Sequence, residues 1–355
     1  MSAKGFLKYV TKKVIASFLI VVLATYLTVI IANMGGHVDE IVRGELEIAV
    51  SQQFRQDPRY DGFSTSELQP LINAEFERLI EQRGLNKPFW ERSIILLQDA
   101  ITLDLGRSNM LSSDSGSRSV KNIILERLPQ TIILFTTATM INFGLNLFIG
   151  LYLSRNYGSW LDKFFISMSP TSAIPGWFYG IFLILIFASN LHWFPYGGIL
   201  SVPAPKEFVP RMLDMLWHMV LPLSSWVISA FFLGVYANRT FFLIFSTEDY
   251  VEAARAKGVP PRQIERNYIL RPALPPIVTN LALTLITSWS GAIITESVFQ
   301  WRGIGMLTRQ AIALFDSPIL IGTTIIYAYL LAFTVLVLDI LYGIIDPRIR
   351  AGFSE

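Results

Sequence analysis

A short charged segment, residues 248–267, is the part of the sequence whose residue types best fit a contact with another protein. Eight of its 20 residues are charged, in a chain that is 52% hydrophobic. Acidic residues such as Glu252 stand in the first turns and basic residues such as Arg255 in the last, an order that complements the helix dipole. Gly258 suits a left-handed C-cap, and two prolines follow it. The pattern predicts a separate short helix over residues 248–257.

Small side chains should make this helix thin. Ser246 or Thr247 is its expected N-cap, because a hydroxyl can accept from the first free backbone N–H groups. Ala253, Ala254 and Ala256 would then let another protein approach the helix closely. The alternative is a solvated loop helix with good caps, and the residues alone leave both readings open.

Two stripes of uncharged polar residues could hydrogen-bond a solute. One stripe falls on a single helical face of an apolar segment: Asn280, Thr284, Thr287, Ser288 and Gly291. The other falls on an earlier apolar segment: Thr139, Asn142 and Asn146. Polar groups are costly in lipid, so such stripes should face protein or water. They are candidates for the lining of a translocation path, and helix packing through small and hydroxyl residues is the alternative.

Several kinds of chemistry find no support in the sequence. Cysteine is absent, and the three histidines, His37, His192 and His218, are too scattered for a metal site. No glycine-rich phosphate loop is present, so the chain has no ATPase of that type. The net charge of +2 gives no basic signal for nucleic acid.

The composition indicates a membrane protein. Only 16% of the residues are charged, against about 25% in soluble domains. A spanning helix needs roughly 20 mainly apolar residues. Six segments meet this condition: 14–34, 128–154, 164–189, 216–238, 276–295 and 319–345. Asp339, near the end of the last one, could pair with a neighbour. Six spans place both termini on the same side.

Basic residues decide which side that is. Four groups are rich in Lys and Arg: Lys4, Lys8, Lys12 and Lys13; Arg155 and Lys163; Arg239, Arg255, Lys257, Arg262, Arg266 and Arg271; Arg348 and Arg350. The alternate short loops are poorer, with Lys206 and Arg211 in one and Arg302 and Arg309 in the other. Both termini and the charged segment should therefore be cytoplasmic. The first apolar run is too long for a cleaved signal peptide and lacks a clear cleavage site, so it should remain as a span.

The loop over residues 35–127 should be extracellular and mainly helical. One helix is expected near 65–84, with Ser64 or Thr65 as its cap and Gly84 at its end. Its apolar face would comprise Leu68, Leu71, Ile72, Phe76, Leu79 and Ile80. A second helix should cover about 88–103, and the serine-rich stretch 112–119 should be a flexible link. The loop is either a cap on the membrane domain or a surface for an external partner.

The segment VEAARAKGVPPRQIERNYILRPALPPIVT, residues 251–279, resembles the EAA loop of ATP-binding-cassette importer permeases of the oligopeptide/dipeptide type. Further stretches resemble the same subfamily in the same order: LDLGRS (103–108), ILERLPQT (124–131), WFPYGG (193–198), ESVFQWRGIG (296–305) and LYGIIDPRIR (341–350). Three features depart from its pattern. NMGGHVDE follows the first span, the outer loop is longer around 41–84, and Pro272 stands where asparagine is common.

The resemblance implies an all-α membrane protein with the six helices of a type I importer permease and a helical extracellular insertion. Its parts would be an N-terminal span (1–34), the outer domain (35–127) and the permease core (128–355), with a coupling loop at 246–276. The coupling residues would be Glu252, Ala253, Ala254, Arg255, Gly258 and Arg271. The chain itself would bind no cofactor and catalyse no reaction.

The resemblance also implies partners in the cell membrane. These are a second, homologous permease, two ATPase subunits carrying ATP and Mg²⁺, and an extracellular solute-binding protein. Di- or oligopeptides would be the solute, although relatives also import oligosaccharides and nickel chelates. Two rivals are an ion-coupled secondary transporter and a non-transporting scaffold. The first normally shows internal repeats and charges in mid-membrane, which are missing here.

Overall fold

The computed structural model describes residues 3–33, 37–60, 62–82 and 85–345, and these form 14 α-helices joined by short 3₁₀ and π segments. The first seven helices are α1 (Ala3–Asn33), α2 (His37–Gln56), α3 (Thr65–Gln82), α4 (Phe89–Ile101), α5 (Val120–Arg155), α6 (Trp160–Met168) and α7 (Gly176–Leu183). The others are α8 (Phe208–Ser246), α9 (Asp249–Ala256), α10 (Pro261–Ile264), α11 (Arg271–Ser288), α12 (Ile293–Val298), α13 (Ile304–Ala313) and α14 (Ser317–Ile345). In the described residues the only bridge pairing joins Arg107 to Ser119.

Five helices are long and apolar enough to cross a membrane, and a bent pair can supply a sixth crossing. The five are α1, α5, α8, the continuous helix Pro261–Ser288 and α14. The all-helical membrane architecture with five to six spans is therefore confirmed. The third span, however, is not the single helix predicted at 164–189.

Prolines explain the bend in the third span. Helix α6 continues as a 3₁₀ turn, Ser169–Ala173, and the next helix starts after Pro175 at an angle of 94°. Pro170 stands at the start of that turn and Pro175 is the N-cap of α7. Proline has no backbone N–H and disfavours helix at the residue before it, so two prolines this close end one helix and begin another.

The fifth span begins and ends earlier than predicted, because its helix starts at Pro261 and not at residue 276. It ends at Ser288, not near residue 295, and α12 begins separately at Ile293. Gly291, between them, has φ +79°, and a Cβ there would lie 2.8 Å from the backbone nitrogen of Gly305. A left-handed residue in close contact with another backbone requires glycine, and it breaks the helix.

Helices α5 and α8 form the centre of the bundle. Their backbones approach closely because glycine stands at two contacts. A Cβ on Gly150 would lie 2.8 Å from Cβ of Asn238, and a Cβ on Gly234 would overlap the side-chain amide of Asn146. The close crossing fixes the position of the polar residues of α5 against α8.

The outer loop contains the two predicted helices and one that was not predicted. Helix α3 begins with a capping interaction, in which the backbone N–H of Ser64 donates to Glu67 Oε2 over 2.8 Å. The unpredicted α2 contributes Val50, which packs on Leu68 and Ile72 of α3. The end expected at Gly84, the stretch around residues 34–36 and the arginines at 348 and 350 lie outside the described residues.

The serine-rich stretch is a hydrogen-bonded turn, so its prediction as a flexible link is wrong. The backbone N–H of Ser117 donates to Ser113 Oγ over 3.0 Å. Asp114 accepts from Arg127 Nη2 over 2.8 Å, and its own N–H donates to Glu126 over the same distance. Serine hydroxyls close such turns by bonding to nearby backbone groups.

A buried carboxylate joins the outer loop to the start of α14. Asp316 accepts from the hydroxyl of Ser108 over 2.5 Å and from the backbone N–H groups of Met110 and Leu111 over 3.1 and 3.2 Å. At the other end of the bundle, Lys13 Nζ lies 3.0 Å from Asp339 Oδ1 and ties α1 to α14. Asp339 thus has the neighbouring partner that its position suggested.

Candidate functional site

The charged segment forms a separate short helix, α9, whose start differs from the prediction. Glu248 is the N-cap residue, and its side chain makes no capping hydrogen bond. Ser246 and Thr247 instead finish α8, where both hydroxyls donate to the carbonyl of Leu243. The assignment of either residue as the N-cap of α9 is therefore wrong, because α8 runs further than the composition indicated.

The end of α9 has the glycine cap that the sequence indicates. Gly258 has φ +73°, its N–H donates to the carbonyl of Arg255 over 2.9 Å, and the next N–H donates from Val259 to Ala254 over 3.1 Å. This pair of bonds is a Schellman motif. A Cβ on Gly258 would meet nothing within 4 Å, so its backbone angle and not space requires glycine. A new helix starts at Pro261.

Helix α9 turns one face inward and leaves the opposite face free. Val251 and Ala254 are buried and pack with Phe242 of α8 and with Ile269 and Ala273 of the following helix. The free face, defined here as the exposed residues opposite that packing, consists of Asp249, Glu252, Ala253 and Ala256. Ala254 therefore holds α9 to its own chain, whereas Glu252 and Ala253 are available to another protein.

Two ion pairs fix the surroundings of α9. Arg155, the last residue of α5, pairs with Glu265 in the π segment that follows α10. Arg239 of α8 makes two hydrogen bonds to Asp162 of α6, of 2.8 and 2.7 Å, and both side chains are buried. The N–H of Gly158 also donates to Asp162, over 2.9 Å. The predicted coupling residue Arg271 is exposed at the start of α11, and Arg255 is exposed on α9.

A large cavity lies where the two predicted polar stripes meet. Its volume is about 1070 Å³, and its walls come from α5, α7, α8, α11 and the stretch 291–295. The polar side chains of the wall include Thr139, Asn142, Asn146, Asn238, Asn280 and Thr284. None of the described residues that line it is charged. Thr287 and Ser288 are not in the wall, and their hydroxyls donate to carbonyls of their own helix.

Two buried amides in the wall have free acceptors. The side-chain oxygens of Asn142 and Asn146 are buried and have no hydrogen-bond partner among the described residues. A buried carbonyl oxygen without a partner is unfavourable by about 1–3 kcal/mol. Both amides stand in the wall of the cavity, but their oxygens are shielded from it, so a side chain would have to rotate before its oxygen could accept from water or a solute there.

A buried carboxyl group supports one wall of the cavity. Glu296 of α12 is fully buried, and it accepts from Thr131 Oγ1 of α5 and from the backbone N–H of Met306, each over 2.9 Å. Burial raises the pKa of Glu296 to about 7, although these hydrogen bonds oppose the shift. The residue lies in one of the recognised stretches, but nothing in its local sequence predicted this contact with α5.

Stability should depend on pH through this group. The pKa of Glu296 is raised from 4.5 to about 7 in the folded protein. The folded state therefore keeps a proton that the unfolded chain releases, so stability falls by roughly 3 kcal/mol as the pH rises from below 4.5 to above 7. We expect Glu296→Gln to flatten the dependence of the melting temperature on pH in detergent. Glu77→Gln, an exposed control in the outer loop, should keep the wild-type slope, and an unchanged slope in Glu296→Gln would contradict the assignment.

Comparison with known proteins identifies the family. A family profile described as binding-protein-dependent transport system inner membrane component matches residues 146–351. The oligopeptide transport system permease protein AppB of Bacillus subtilis is 30% identical over 79% of this chain and 86% of its own length. The di/tripeptide transport system permease protein DppB of Pseudomonas aeruginosa shows the same identity and coverage.

Two more similarities extend this set. The inner membrane ABC transporter permease protein YejB of Escherichia coli O157:H7 is 30% identical over 79% of this chain and 77% of its own length. A solved structure of the MetNI methionine ABC transporter, in an inward-facing conformation, aligns with a TM-score of 0.42 and 20% identity over 64% of this chain and 95% of that chain. On the family match and the 30% identical relatives, the chain belongs to the binding-protein-dependent transport system inner membrane component family and is a permease subunit of an ATP-binding-cassette importer.

Proposed function

We propose that the chain forms half of the translocation path for di- or oligopeptides that an extracellular binding protein delivers. The observation that carries the proposal is the uncharged cavity, in which polar residues of α5 and α11 meet. Its wall contains the side-chain amides of Asn142, Asn146, Asn238 and Asn280, a type of group that can both donate to and accept from a peptide backbone. The relatives named above as oligopeptide and di/tripeptide permeases support the same class of solute.

Transport would be driven by two partner ATPase subunits that bind ATP and Mg²⁺. In the proposal, one of them receives the free face of α9 and a second, homologous permease completes the path. The helix Pro261–Ser288 starts three residues after Gly258 and carries Asn280 and Thr284 into the cavity wall. Movement of α9 would therefore reach the wall along one continuous helix.

The proposed orientation of the chain in the membrane follows from the distribution of its Lys and Arg residues. Both termini and α9 would be cytoplasmic, and residues 35–127 would form the extracellular part between an N-terminal span (1–34) and the permease core (128–355). The coupling loop at 246–276 would then include α9 and the start of the next helix. Placement of both termini on the same side agrees with the ion pair between Lys13, near the start of α1, and Asp339, near the end of α14.

Polar residues in the cavity wall should matter for uptake. We expect the double variant Asn280→Leu with Thr284→Leu to reduce uptake of a tripeptide, because leucine removes two polar groups from the wall and narrows it. Assembly with the ATPases should be unchanged, since neither residue contacts α9. The measurement is binding-protein-dependent uptake into liposomes, with retained ATPase subunits measured in parallel.

A third residue of the same helix provides the control. Thr287 is exposed but lies outside the wall, so Thr287→Leu should transport normally. Equal uptake by the double variant and the wild type would contradict the proposed path. If the wild type took up an oligosaccharide but no tripeptide, and the double variant reduced that uptake, the path would stand and the peptide assignment would fail.

A further inference from the structure

A packed apolar cluster fills one end of the cavity. Its buried residues come from α5, α8 and the stretch after α12: Leu134, Phe135, Met219 and Trp301. Trp226 and Ala292 pack against these residues and also line the cavity, so this end cluster is the end wall of the cavity. Trp301 belongs to the segment between the fifth and sixth spans, which is extracellular in the proposed orientation. The end cluster therefore closes the cavity on its outer side.

At the opposite end the cavity continues. A second cavity, of about 220 Å³, shares Asn238 and Asn280 with it and extends to Phe241 and Pro276. Phe241 stands in the last two turns of α8, and α9 begins three residues after that helix ends. The cavity thus extends toward α9 and is closed at the end away from α9. In the proposed orientation, this conformation faces the cytoplasm.

One buried carboxyl group ties the end cluster to α5. Glu296 accepts from the hydroxyl of Thr131 on one oxygen and from the backbone N–H of Met306 on the other. Weaker backbone interactions come from Gly305 and Ala292. The carboxyl group therefore joins α5, a residue of the cavity wall and the start of α13 at one point.

The neighbouring contacts leave this junction no free space. The oxygen of Thr131 also accepts from the N–H of Ile304, over 2.7 Å. The ring N–H of Trp301 donates to a carbonyl of α5 over 3.0 Å. A Cβ on Gly303 would lie 2.6 Å from Glu296 Oε2. The end cluster can move away from α5 only if these hydrogen bonds break together.

We propose that residues 292–306 form the outer gate of the path and that Glu296 is the positioning residue that holds the gate closed. The inference rests on the proposed function, because it requires that the cavity be the path of the solute. A solute delivered from outside could enter only if the end cluster separated from α5. The hydrogen bonds of Glu296 oppose that separation, since breaking them leaves buried donors without partners.

The test uses labelling from one side of the membrane, because the chain has no cysteine of its own. Thr284→Cys places one thiol in the cavity wall of the full-length permease, assembled with its partner subunits in right-side-out or inverted membrane vesicles. A membrane-impermeant fluorescent maleimide is added outside the vesicles, without ATP, and the label on the permease is measured.

In this background, Glu296→Gln should raise the rate of labelling from the extracellular side. The amide of glutamine would turn an N–H toward donors at the junction, and a buried donor without a partner shifts such an equilibrium by about tenfold. We therefore expect labelling from the extracellular side to become about tenfold faster. Labelling from the cytoplasmic side should be unchanged, which would show that the variant is folded.

Two further variants separate a gate from general loosening. Gly303→Ala should also speed labelling from the extracellular side, because its Cβ would push against Glu296. Asp316→Asn makes the same chemical change in another buried carboxylate, whose hydrogen-bond partners lie outside the cavity wall, and should leave labelling unchanged.

Equal labelling from the extracellular side in Glu296→Gln and in the background variant would overturn the gate. An equal rise in Asp316→Asn would also overturn it, since the effect would then not depend on the cavity wall. If the reagent did not reach Thr284→Cys from the cytoplasmic side in the background variant, the path itself would be wrong, and the gate with it.

Discussion

Replacing Gly258 with valine is expected to separate this permease from its ATPase subunits without preventing its insertion into the membrane. Gly258 has φ +73°, which a β-branched residue adopts only at a cost of roughly 1–3 kcal/mol. The strain is relieved by unwinding the last turn of α9, and this displaces the free face. A loss of about 1.4 kcal/mol weakens binding about tenfold. The measurement is the amount of ATPase that co-purifies with the permease, with ATP-dependent uptake beside it.

Gly116 provides a matched control for this variant. It also has a positive φ, +82°, and open space where a Cβ would stand, but it belongs to the turn of the outer loop. Gly116→Val should therefore carry a similar local strain and retain the ATPases normally. Full ATPase retention in Gly258→Val would show that the end of α9 does not contribute to docking, and the coupling role proposed for Gly258 would fail.

The second large effect, on the stability of the protein, is expected when the ion pair between Asp162 of α6 and Arg239 of α8 is broken. Arg239→Met would leave the carboxylate of Asp162 as a buried charge, and among the hydrogen bonds of the described residues it would keep only the one from the N–H of Gly158. The two side chains are 9% and 2% exposed, so water screens the pair little. Removing one partner of a buried pair typically costs about 3–5 kcal/mol. The melting temperature of the purified protein in detergent should fall accordingly.

A double variant distinguishes lost charge pairing from lost packing. Asp162→Asn added to Arg239→Met removes the unpaired charge and keeps an oxygen for the N–H of Gly158. We expect the double variant to be more stable than Arg239→Met alone. If both melted at the same temperature, the effect would come from the packing of the arginine, including its position 4.9 Å from the ring of Tyr157.

The sequence predicts most reliably those features that depend on neighbouring residues. The end of α9 follows from a glycine and two prolines, which act locally, and the apolar spans follow from their own composition. The family of the protein and its membrane-spanning helices could therefore be predicted from the sequence. The bend in the third span was also readable, because Pro170 and Pro175 stand inside the apolar run.

Contacts between residues that are distant in the sequence could not be predicted in the same way. Arg239 was interpreted only as one of several positive charges near a membrane surface, whereas its partner, Asp162, lies 77 residues away. Ala254 was grouped with Ala253 because both are small, and only the packing of α9 shows that Ala254 is buried and Ala253 exposed. The coupling and path residues remain proposals, and the variants described above test them.

The pairing of Arg155 with Glu265 has a mechanical consequence. Glu265 begins the π segment near one end of the helix that carries Thr284. The ion pair holds this end of the helix to α5, so a tilt of the helix would pivot about it. Thr284 lies about 29 Å further along, at 1.5 Å per residue. A tilt of about 10° about that point would swing Thr284 through about 5 Å. If α9 couples to the ATPase as proposed, such a tilt would move this part of the cavity wall by more than the width of a water molecule.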